Sequence, residues 1–162
     1  MTELLKLIFK LFFKQIEHTK SELPYKHLIK SETAEKLGID NIPNDEQIKN
    51  LQQLNIKIYM PIELSCRKDG KELILNSGFR SEALNKAVGG SPNSDHKNGL
   101  ACDLVCGTPE ELFNRIKGLN LPYKQLIKEP TWVHVSLDLN DIPRKQDLEA
   151  YAENDVMKYR SI

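Results

Sequence analysis

Apolar and polar positions along this chain fall into short stretches of helical and of alternating spacing. At the start, Lys6, Lys10 and Lys14 recur every four residues, which stacks them on one side of a helix. Leu4, Leu5, Leu7, Ile8, Phe9, Leu11, Phe12 and Phe13 cover the rest of it. Ser31 to Gly38 reads as a short helix, with Ser31 as N-cap and Gly38 as the stop. Asn44 or Asp45 then caps a helix that carries Ile48, Leu51 and Leu54 on one face and runs towards Met60. Pro61 marks its interruption or a restart. Arg67 to Gly70 reads as a polar turn, and Leu73 to Leu75 as a short strand. Ser81 to Val88 reads as a helix that ends at Gly89-Gly90-Ser91-Pro92. Leu100 to Val105 reads as a buried strand. Thr108 and Pro109 open a helix that ends between Gly118 and Asn120. Gln125 to Ile127 and Trp132 to Leu137 read as strands joined by a turn at Pro130, and Lys145 to Tyr159 as an exposed helix. Helices come first and between short strands, which predicts an α+β fold: a small, mostly antiparallel sheet with flanking helices.

Composition narrows the function. A chain of 162 residues, 40% apolar and 28% charged, is one globular domain with enough length for a real core. Lys plus Arg and Asp plus Glu both total 23, and the zero net charge argues against nucleic acid as a partner. Three cysteines make no disulfide framework, so Cys66, Cys102 and Cys106 are read as core or incidental residues. The first helix makes a poor signal peptide, because its lysines limit every apolar run to three residues and no small-residue cleavage site follows. It is also too interrupted to span a membrane. Residues 1–16 fit either a helix docked on protein or one lying on an anionic membrane surface.

Candidate chemistry sits in Ser94-Asp-His-Lys-Asn-Gly-Leu-Ala-Cys-Asp103. Asp103 falls inside an apolar strand, where an ionised carboxylate is expensive unless it is paired or bound to a metal. Gly99 permits a tight turn that can bring His96 to it. In Trp132-Val-His-Val-Ser136, alternation places Trp132, His134 and Ser136 on the face opposite Val133 and Val135. Two imidazoles and one carboxylate suit Zn²⁺ and leave a coordination position open for water. The competing reading is a core aspartate bonded to backbone with two ordinary histidines. His18 and His27 lack a partner pattern and read as surface or local contacts. Gly89-Gly90 lacks the Lys-Ser or Lys-Thr of a phosphate-binding loop.

The form S-x-H-x-x-G-x-A-x-D followed by W-x-H resembles the zinc D-Ala-D-Ala carboxypeptidases and endolysin peptidases of the M15 group. SETAEKLGIDNIP, LNSGFRSEALNKAVGGSPNSDH and QLIKEPTWVHVSL are similar, in order, to landmarks of the subgroup common in phage and prophage lysis genes. The likeness covers roughly residues 25 to 138. It implies a fold like that of the hedgehog and DD-peptidase zinc proteins, with a peptidase domain over 21–140 between an amphipathic helix at 1–20 and a tail at 141–162. It also implies one zinc ion held by His96, Asp103 and His134. By the same likeness Arg80 faces the substrate carbonyl or carboxylate, and Ser94 and Trp132 touch substrate. Ser94 can equally serve as a local turn-forming hydroxyl. Several relatives place a carboxylate three residues before the last histidine, but here that residue is Thr131. The nearest carboxylate is Glu129, which is assigned as general base, with Asp138 in reserve.

The resemblance implies hydrolysis of peptidoglycan peptides, by a D,D- or L,D-type carboxypeptidase or endopeptidase, in the manner of an endolysin. Such a protein is made in the cytoplasm and meets the wall after release. The departure at Thr131 keeps open a second reading, a non-catalytic zinc module that binds wall or serves a structural role.

Overall fold

The computed structural model describes residues 24–162. The helix expected at the N-terminus, its membrane or protein contact, the 1–20 boundary and His18 lie outside the described residues.

Helical segments come first. After a single 3-10 turn at Lys26–Leu28, helix α1 spans Glu32–Leu37 and helix α2 Asp45–Leu54. The Ser31 hydroxyl accepts from Ala34 N, and Asn44 with Gln47 forms a full capping box. A π-helical turn, Asn55–Tyr59, links α2 to helix α3, Met60–Lys68. Pro61 follows this π-turn within a helical run that continues unbroken, so it is neither a stop nor a fresh start, and its missing N–H falls where the helical bonding has already shifted. The expected polar turn at Arg67 begins two residues late. Arg67 remains helical, paired with Glu63 at 2.9 Å, and the chain turns at Asp69 and Gly70. Helix α4, Glu82–Ala87, and helix α5, Pro109–Gly118, stand where their caps Ser81 and Thr108 predict.

Six strands form one sheet in the order β1-β2-β4-β3-β5-β6. They are β1 Ile74–Ser77, β2 Ala101–Val105, β3 Tyr123–Lys128, β4 Val133–Leu137, β5 Gln146–Glu153 and β6 Val156–Ser161. All neighbours are antiparallel except β3 and β5. The α+β class with a mostly antiparallel sheet and flanking helices is thus observed.

The C-terminal segment corrects the sequence reading. Lys145 to Tyr159 is not an exposed helix; it is the β5–β6 hairpin, and the sheet runs without a break past residue 141. Two physical causes decide this. Strand β3 has an edge whose backbone groups need partners, and β5 supplies them. Asn154 and Asp155 both take positive φ, 51° and 60°, as a two-residue hairpin turn requires.

Alternation gives the sheet two unlike faces. Cys102, Leu104, Leu126, Val133, Val135 and Leu137 point into a core built with Leu51, Leu54, Ile58, Ile62 and Cys66 from the helical run. Leu112, Phe113 and Ile116 of α5 join the same core. All three cysteines are buried and free, as expected. His27 is exposed and packs its ring against Tyr59, at 4.5 Å between centroids, which is the local contact expected of it. The opposite face of the sheet carries the polar residues that follow. No helix among the described residues is long and apolar enough to cross a membrane.

Candidate active site

Strand pairing assembles half of the site. Asp103 of β2 lies directly opposite His134 of β4, and both side chains leave the sheet on the face away from the core. Asp103 Oδ1 is 2.9 Å from His134 Nδ1. His96 arrives from above, on the 3-10 turn Asp95–Asn98. Gly99 ends that turn at φ 70°, and a Cβ there would lie 2.8 Å from Gln47 O, so the return into β2 depends on glycine. Helix α2 holds the turn from its other side. Gln47 Nε2 donates to Lys97 O at 2.8 Å and Asn50 Nδ2 to Asn98 O at 2.9 Å.

His96 Nε2 lies 3.2 Å from Asp103 Oδ1 and 3.2 Å from His134 Nδ1. Its other nitrogen, Nδ1, is 2.6 Å from Gly78 O. A carbonyl can only accept, so Nδ1 carries the proton and donates. Burial holds the His96 pKa below its ordinary value, which favours the neutral ring. Nε2 therefore turns a lone pair towards a carboxylate oxygen and a second imidazole. Lone pairs gathered in a buried site call for a cation between them. Zinc with bonds of 2.0–2.1 Å in tetrahedral geometry sets its donors about 3.3 Å apart, which is close to the spacings here. The donor set fits Zn²⁺, and the Gly78 carbonyl supplies the partner that fixes the tautomer of a ligating histidine.

Arg80 holds the carboxylate from behind. Its Nη2 donates to Asp103 Oδ2 at 2.6 Å and its Nε to Ser77 Oγ at 2.8 Å. A register irregularity in β1 between Leu75 and Ser77 sets Ser77 opposite Asp103. Asp103 thus divides its oxygens, Oδ1 to the imidazoles and Oδ2 to the guanidinium. Burial pushes its pKa up, but the charge and hydrogen bonds of His96 and His134 outweigh burial and hold the carboxyl well below the usual carboxylate range.

These groups open into a cleft of about 640 Å³ that also takes in Ser94, Glu129, Trp132 and Tyr159. Glu129 follows β3, is 8% exposed, and has a raised pKa, first from burial and further from the Asp103 charge. Its N–H donates to Trp132 O across the Pro130 turn. Ser94 Oγ accepts the N–H of His96 at 3.3 Å, the local turn role, while also lining the cleft. Asp138 is turned away. Its oxygens accept from Asn140 N, Asn140 Nδ2 and Arg144 N, and it is not part of the lining.

Sequence reasoning missed other parts of the lining. Asp95, given no role, pairs with Lys124 at 2.8 Å on the cleft wall. Arg144 and Tyr159 come from the C-terminal segment. The Asn154-Asp155 pair between Ala150, Tyr151 and Val156 was the available signal for a hairpin there.

A family model described as Peptidase M15 matches residues 21–136. The chain belongs to that family. M15 peptidases are zinc-dependent metallopeptidases, and Arg80, His96, Asp103, Glu129 and His134 all lie inside the matched region, whereas the β5–β6 hairpin lies beyond it. A comparison with curated proteins finds no match.

Proposed function

We propose that this M15 peptidase hydrolyses the stem or cross-bridge peptides of peptidoglycan, as a phage or prophage endolysin does. The observation that carries the reading is the convergence of His96 Nε2, His134 Nδ1 and Asp103 Oδ1 within 3.2 Å of one another, with the Glu129 carboxylate on the same cleft. Zinc bound by those three residues would polarise the scissile carbonyl and acidify a water molecule. Glu129 accepts the proton of the attacking water and returns it to the leaving amine as the carbon–oxygen bond forms and the carbon–nitrogen bond breaks. Its raised pKa suits both halves of that transfer. Arg80 keeps Asp103 oriented and lines the cleft, where a guanidinium offers stabilisation to developing negative charge. Trp132 and Ser94 form substrate-facing wall.

The wall substrate rests on the phage-subgroup landmarks in the sequence. Arg80, Lys124 and Arg144 on the lining are in keeping with it, because stem peptides carry free carboxylates. An enzyme of this kind reaches the wall through a membrane lesion made by another protein. The test is incubation of the zinc-loaded protein with purified peptidoglycan and mass spectrometry of the soluble products. Zinc-dependent, chelator-sensitive release of peptide fragments supports the reading, and their masses name the bond. Stoichiometric zinc with no fragment from any wall type would instead favour the non-catalytic module.

A further inference from the structure

The C-terminal hairpin brings a residue to the base from two strands away. Lys128 pairs with Glu149 between the parallel strands β3 and β5, so Glu129 is level with Ala150. Ala150 in turn pairs with Tyr159 of β6. Glu129, Ala150 and Tyr159 therefore form one row across the sheet. Neighbouring strands are about 4.8 Å apart, and the middle residue of the row has only a methyl group. The two long side chains line the same cleft on either side of it, which brings the Tyr159 hydroxyl into range of the Glu129 carboxylate. No other side-chain donor among the described residues is placed towards that carboxylate. Every residue of β6 is exposed, Tyr159 at 52%, so burial does not account for a tyrosine there.

We propose that Tyr159 is the positioning residue of the Glu129 base: its hydroxyl holds one carboxylate oxygen and aims the other into the cleft. This rests on the reading of Glu129 as general base given above. A carboxylate at the end of a strand, next to a Pro130 turn, has free rotation unless something holds it, and a small misplacement of a base costs heavily in rate. The hairpin thereby contributes to catalysis from outside the region shared with the family.

Tyr159→Phe in the full, zinc-loaded chain tests the assignment. The expected result is a kcat about tenfold lower with KM within about twofold and zinc content unchanged. In a Glu129→Asp background, where the shorter side chain no longer reaches the hydroxyl, the same substitution should cost less than about twofold. Unchanged kcat, a rise in KM alone, or equal losses in both backgrounds would overturn the assignment. A second arm needs no activity. In metal-free protein labelled with carbon-13 at the tyrosine Cζ, the Tyr159 signal is identified by its loss in Tyr159→Phe. Glu129→Gln should move the ionisation of that phenol to lower pH; an unmoved titration overturns the contact. If zinc-loaded wild type releases nothing from any wall, the proposed function fails while this second arm still decides the pairing.

Discussion

At the scale of single residues, two carboxylates on one cleft are driven in opposite directions. Asp103 is held ionised by the imidazoles beside it, while Glu129 is pushed towards its neutral form by burial and by the Asp103 charge. The working form of a base is the ionised one. Because its pKa is raised, Glu129 loses that form as pH falls while still above the ordinary glutamate range. The acid limb of kcat/KM should therefore lie above pH 4.5, the ordinary glutamate value, and a pH-rate profile measures it. Glu129→Gln should retain full zinc by elemental analysis and lose about 10²–10⁴-fold in kcat. Arg80→Lys should act on the metal first. A lysine cannot reproduce donation to both Asp103 and Ser77, so zinc affinity should weaken about tenfold in a chelator competition.

At the scale of elements, the most constrained point is the crossing of the Gly78 segment over the Leu28 carbonyl. A Cβ at Gly78 would lie 2.2 Å from Leu28 O, and Gly78 O is the acceptor that orients His96. Gly78→Ala should cost roughly 2 kcal/mol, a fall of roughly 4–8 °C in Tm for a domain of this size. It should weaken zinc binding in the same protein; a melt and a zinc titration check the two effects together. Elements fixed by local chemistry were legible in the sequence. Ser31, Asn44 and Thr108 announce their helices, because a cap is a contact between residues three apart. The metal trio was legible for a different reason: an aspartate between Cys102 and Leu104 contradicts its surroundings. Asn154-Asp155 was the hairpin's one local sign, but β5 itself was not legible, because it is a strand by virtue of β3, some 20 residues away, and a helix-compatible run such as Asp147-Leu-Glu-Ala150 carries no sign of that partner. Tyr159 was lost with it.

At the scale of the whole molecule, the sheet separates two tasks. One face seals the core against α2, α3 and α5, and the other opens into the cleft. Zinc should bind only the folded arrangement, since its ligands come from a turn and two strands. At a free concentration a hundred times Kd it should add about 2.7 kcal/mol of stability, raising Tm by roughly 5–10 °C, and excess chelator should reverse the shift in a thermal melt. Without the metal, acid should be harmful early. Burial lowers the folded pKa of His96 beneath the 6.5 of the unfolded chain, so its contribution is complete above that value and is lost as pH falls below it.

The pairing of Asp103 with His134 has a further consequence for how the chain finds its structure. In a strand, a slip of one residue exchanges the two faces. Sliding β2 by one position would carry Asp103 in among Leu51, Ile58 and Val135, and would bring Cys102 or Leu104 out beside the imidazoles. The uncompensated charge in hydrocarbon makes each such misalignment costly before any metal is present. The side chain at the centre of the candidate metal site is thus also the proofreader of the two central strands, so a chain that has paired them wrongly cannot persist as a stable lookalike.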